Sequence, residues 1–80
     1  MNTRWVLFHL GEARRELDLL TKMIETGAPA KEEFEIALEH AYHHLNTAWN
    51  SRSISDDQAA RHTDEDFVTW RQFPKELNLA

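Results

Sequence analysis

The sequence predicts an all-α protein, an antiparallel two-helix hairpin followed by one or two short C-terminal helices. Three observations carry this: two apolar repeats with four-three spacing, a Gly-Ala-Pro break between them, and two capping patterns in the last third of the chain.

Val6, Leu10, Ala13, Leu17, Leu20 and Ile24 are spaced four, three, four, three and four apart, which draws one narrow stripe along a helix. That helix is expected over residues 3–26, with Asn2 or Thr3 as its cap and Gly11 as a slight weakness near its start. Gly27 is expected in the left-handed position that ends it, and Pro29 suits the first turn of the next helix. The second helix is expected over residues 30–50, with Glu32, Glu33 and Glu35 in its opening turns, where carboxylates complement the helix dipole. Phe34, Leu38, Ala41, Leu45 and Ala48 repeat the four-three spacing, and Tyr42 and Trp49 lie on one shoulder. A connection this short turns the second helix back beside the first. Ala13, Ala41 and Ala48 then mark places where the two backbones can approach closely.

After Asn50 the character changes. The Ser-rich stretch 51–55 is a connector, and Ser55 with Gln58 forms a capping box for a short helix over residues 55–61, supported by an Asp57–Arg61 pair. Thr63 with Asp66 is a weaker cap of the same kind, for a helix over residues 63–72. Phe73-Pro74 is expected to close that helix, and residues 75–80 are read as a tail. The whole of 1–80 is one small helical domain, because a chain this short cannot support two cores. It buries only roughly 60% of the surface its unfolded form exposes, so helix pairing must be efficient or a second copy must help.

Each long helix also has apolar groups off its main stripe. Trp5, Phe8, Leu19 and Met23 form a second edge on the first helix, and aromatic groups at this density call for cover. Phe67, Trp70 and Phe73 folding back is one cover; dimerisation into a four-helix bundle is another. Tyr42 and Trp49, two turns apart, serve either as interface anchors or as the finish of a small core.

The chain has nine basic and fourteen acidic residues, and residues 31–50 carry one Lys against four Glu. There is no basic stripe, so neither a nucleic-acid partner nor an anionic membrane is expected. The apolar run Trp5–Phe8 is too short to span a bilayer and makes a poor secretory signal, which leaves a cytoplasmic location as the expectation. The absence of cysteine removes disulfides, thiolate nucleophiles and cysteine-containing zinc sites.

The densest group of chemically capable side chains is His40, His43 and His44, with Glu39 four residues before His43. Spacings of three and four place pairs of these on a shared helix face, and the hairpin brings His9 and Glu12 toward the same end. A zinc or iron site is one reading of the set. A second is a polar strip, Ile36, His40, His43 and Thr47, on the side away from the core, and a third is hydrogen-bonded histidines in an oligomer interface. Neither a Glu-x-x-His nor a His-Glu-x-x-His pattern is present, and no cofactor is otherwise expected.

Catalysis has little support. No nucleophile elbow surrounds Ser51, Ser53 or Ser55, no glycine-rich phosphate loop precedes a Lys, and the paired acids fit helix starts. The expected function is a small protein-protein interaction or assembly protein, acting as a homodimer or on another protein. A helical transition-metal-binding protein is the alternative, and a regulatory accessory subunit the third.

Overall fold

Asn2 is where the fold is tied together. Its side-chain oxygen accepts from the Trp5 backbone N–H at 3.1 Å, capping the first helix. Its amide nitrogen donates to the Ile54 carbonyl at 2.9 Å and to the Asp56 carboxylate at 3.0 Å, and its backbone N–H donates to the Arg52 carbonyl. One residue thus starts a helix and holds the connector that follows the second helix, fifty residues later in the chain.

The computed structural model describes residues 1–76, and among them it contains four helices and no strand: α1 Thr3–Thr26, α2 Lys31–Asn50, α3 Asp56–Ala60 and α4 Asp64–Trp70. The predicted tail lies outside the described residues from 77 onward. Gly27 ends α1 with φ 158° and ψ 137°, a positive-φ conformation that favours glycine but differs from the left-handed helical one expected; its N–H still donates to the Met23 carbonyl at 3.1 Å. Ala30 precedes α2 without a side-chain cap, and Glu32 and Glu33 supply negative charge to the opening turn instead. Both predicted capping boxes are formed, at Ser55 with Gln58 and at Thr63 with Asp66, and Arg61 pairs with Asp57. Among the described residues no helix is long and apolar enough to cross a membrane.

The helices pair as an antiparallel hairpin, but on faces rotated from the expected stripes. The buried residues are His9, Ala13 and Leu20 on α1 and Ala41, Thr47 and Ala48 on α2. Leu10, Leu17 and Ile24, and on α2 Phe34 and Leu45, are 40–51% exposed. At 100° per residue, the buried line sits roughly 40–70° away from each predicted stripe. Small side chains explain the rotation. The His9–His44 and Glu16–His40 approaches set a register that puts Ala13 opposite Ala41 and Val6 opposite Ala48. Close backbone approach at alanines leaves the larger Leu and Phe groups on one flank. The strip expected to face away from the core is split for the same reason: Thr47 is buried and His43 half-buried, while Ile36 and His40 remain exposed.

The C-terminal segment docks on the opposite flank. α4 ends at Trp70, before Phe73-Pro74, because Asn46 and Asn50 of α2 take its terminal carbonyls. Asn46 donates to the Arg71 carbonyl at 2.8 Å, and Asn50 donates to those of Trp70 and Gln72, both at 2.7 Å. These two amides satisfy carbonyls that the end of a helix leaves unpaired.

Replacing Asn2 by Ala removes a cap and two tertiary hydrogen bonds. Asn2→Ala is expected to lower stability by about 2 kcal/mol in urea unfolding. A loss under about 0.5 kcal/mol would show that the tie contributes little.

Candidate functional site

All five histidines of the chain, His9, His40, His43, His44 and His62, line a single cavity of about 400 Å³. Its other walls are Trp5, Phe8, Phe67, Trp70 and Thr47. Four chain segments meet here: the first turns of α1, the second half of α2, the turn between α3 and α4, and α4 itself. Trp5 is central among them. Its indole N–H donates to the Ser51 hydroxyl at 2.7 Å, and that buried hydroxyl donates in turn to the Thr47 carbonyl. Trp70 meets the Trp5 ring edge-on, with centroids 6.3 Å apart, and His62 lies 6.2 Å from the same ring.

His9 sits deepest. It packs edge-on against Trp5 at 4.4 Å and Phe8 at 5.1 Å, and its Nδ1 lies 2.9 Å from Nδ1 of His44. One proton serves that contact, so one ring donates and the other accepts. The Nε2 of His9 is buried and has no partner. A bare lone pair there costs less than an orphaned N–H, so the cheaper arrangement has His9 donating through Nδ1, which leaves the His44 proton on Nε2. Burial pushes the His9 pKa down to about 4; His44 and His62 add to the shift and Glu12 opposes it. His43 is also lowered, by burial first and then by the positive charge of Arg71, with Glu39 acting in the other direction. His62 donates from Nδ1 to the Ala59 carbonyl at 2.7 Å, so its neutral ring presents Nε2 as an acceptor.

The residues proposed as metal ligands engage separate partners. His40 approaches Glu16 at 4.0 Å, His43 approaches Glu39 at 3.8 Å, and His44 is taken by His9. Among the described residues no three His, Asp or Glu side chains converge in a way that could hold a metal ion.

The aromatic and aliphatic candidates divide between two sides of the hairpin. Trp5, Phe8, Phe67 and Trp70 belong to the cavity, so part of the expected fold-back does occur, through Trp70 on Trp5. It stops there: Phe73 and Leu19 stay about half exposed, and Met23 is partly covered. Tyr42 and Trp49 lie toward the opposite side. Tyr42 is exposed, while Trp49 is half-buried beneath the Arg52 guanidinium at 3.9 Å, with its indole N–H donating to Glu76 at 2.9 Å.

The His9–His44 pair was within reach of the sequence, since folding the chain about residues 27–30 reflects His9 toward the end of α2. His62 carried no such signal. Its place depends on how α4 docks, which the asparagines of α2 decide.

The fold and this cavity define a small all-α protein, a helical hairpin with a docked C-terminal helical segment. The chain matches no protein-family model, no curated protein and no solved structure at a significant level.

His9 gives the fold a defined acid response. It is neutral in the folded chain down to a pH of about 4 and returns to about 6.5 on unfolding. Between these values the unfolded chain binds a proton that the folded chain excludes, so this stability is intact above about 6.5 and falls as the pH drops toward 4. The expected loss from pH 7.5 to pH 5 is about 2 kcal/mol, measured by urea unfolding. His9→Leu keeps the side chain buried and should remove most of that loss; equal losses in the two proteins would exclude His9 as its source.

Proposed function

We propose that this chain is an assembly protein that works as a homodimer, with two hairpins closing a four-helix bundle. The observation that carries this reading is the open flank of Leu10, Leu17, Ile24, Phe34 and Leu45. These residues lie to the same rotational side of the buried line on both helices, and in an antiparallel pair that brings both rows to one side of the hairpin. Val6 and Leu10 already meet Leu45, Ala48 and Trp49 across a shallow groove there.

Size supports a second copy as the occupant. The accessible surface is 6166 Å², against about 5,000 Å² for a compact monomer of this mass. The excess, on the order of 1,000 Å², is comparable with the roughly 800 Å² that each partner buries in a standard interface. The radius of gyration of 14.2 Å likewise exceeds the about 12 Å of a compact chain of this length. A two-fold axis parallel to the helices stacks α1 of one copy on α2 of the other.

Sedimentation equilibrium at about 100 μM is expected to give twice the chain mass of 9.4 kDa. Leu17→Glu should give a monomer that keeps its helical circular dichroism, since Leu17 is already partly exposed in the single chain. A monomeric unaltered protein at that concentration would overturn the proposal.

A further inference from the structure

The cavity on the other flank is chemically unlike the dimer face, and nothing in the hairpin's packing requires it. Its walls hold five imidazoles and four aromatic rings but no carboxylate. Glu12, Glu16 and Glu39 lie close to His9, His40 and His43 respectively, but none of them lines the cavity. A full positive charge, Arg71, stands with its guanidinium 5.1 Å from the Phe67 ring centroid. It is close enough to His43 to hold that ring's pKa down. Among the described residues, no carboxylate oxygen is paired with Arg71. Phe8 and Phe67 are about half exposed at the cavity's edge, apolar area that an inserted ring would cover.

We propose that this cavity binds a flat aromatic carboxylate of one or two rings, with the ring system between the Trp5, Phe8, Phe67 and Trp70 side chains and the carboxylate toward the histidines and Arg71. Each part follows from the lining. Aromatic walls favour a flat ring through offset and edge-on contacts. Imidazole N–H groups, such as Nε2–H of His44 in the arrangement derived above, donate to a carboxylate, and Arg71, outside the lining but beside His43 and Phe67, adds positive charge at the cavity's edge. A cation is disfavoured here despite the aromatic rings, because no carboxylate lines the cavity and every protonated histidine repels it. A volume of about 400 Å³ is at the small end of ligand sites and accommodates two fused rings. A metal ion is disfavoured by the sealed Nε2 of His9 and by the separate partners of His40, His43 and His44.

The test titrates the full chain with 2-naphthoate, with 2-naphthylmethylamine as the cationic counterpart, following tryptophan emission and amide chemical shifts. Naphthoate is expected to saturate and to bind at least about tenfold more tightly than the amine. The largest shifts should fall on Trp5, His44, His62 and Trp70. Arg71→Gln, a change at a partly exposed position, should weaken naphthoate by about tenfold and should not weaken the amine. Leu17→Glu, placed on the opposite flank, should leave naphthoate affinity unchanged, which separates this site from the dimer face. Equal affinity for the two probes, an unchanged affinity in Arg71→Gln, or shifts centred on Leu10, Leu17 and Leu45 would each overturn the proposal.

Discussion

Close approach of α1 and α2 at Ala13, Ala41 and Ala48 is the constraint on which the rest of the molecule depends. Two helices pack at 8–10 Å according to the side chains between them, and alanine permits the short end of that range. The small residues and Leu20 take the seam, and most of the other large groups are left outside it. Leu10, Leu17, Ile24, Phe34 and Leu45 are displaced to one flank, while His9, His40, His43 and Thr47 are drawn into the seam or onto the other. A pairing centred on the Leu and Phe groups would have produced a thicker hairpin with its histidines in solvent.

The same rotation gives the two flanks different chemistry. One is apolar and carries Leu10, Leu17, Ile24, Phe34 and Leu45. The other is aromatic and imidazole-rich, and is covered at one end by α4. Polar groups carry that cover: Asn46 and Asn50 hold the end of α4, Asn2 holds the connector before α3, and Trp5 links to α2 through Ser51. Burying hydrogen-bonded amides and a hydroxyl specifies one docking position, because a displaced segment leaves several polar groups without partners. The hydrophobic contribution of Trp70 on Trp5 is then confined to one geometry.

His9 illustrates what this arrangement costs and what it permits. An imidazole in the seam must stay neutral, and it shares a proton with His44 while its other nitrogen goes unpartnered. Leucine at this position would pack without that penalty. The histidine instead places its ring edge-on to Trp5 and Phe8 and forms the floor of the cavity, which connects the stability of the hairpin seam to the proposed ligand site.

Local features were legible in the sequence, because they depend on neighbours within a few residues. The two long helices, the break at residues 27–30, the cap at Asn2, both capping boxes and the Asp57–Arg61 pair all follow from spacing and side-chain chemistry. The antiparallel pairing follows as well, since a short connection leaves no other course. The rotation of each helix did not, because the stripe with the most hydrophobic residues differs from the stripe that permits closest approach. Neither did the end of α4 at Trp70, which is decided by two asparagines twenty or more residues earlier. The candidate site shows the division most clearly: His40, His43 and His44 stand out in the sequence and His9 follows from the hairpin, but His62 joins them only when α4 takes its place against α2. Sequence therefore determined the elements and their order, and tertiary packing decided which faces met, since that choice rests on side-chain size at the seam and on hydrogen bonds between distant segments.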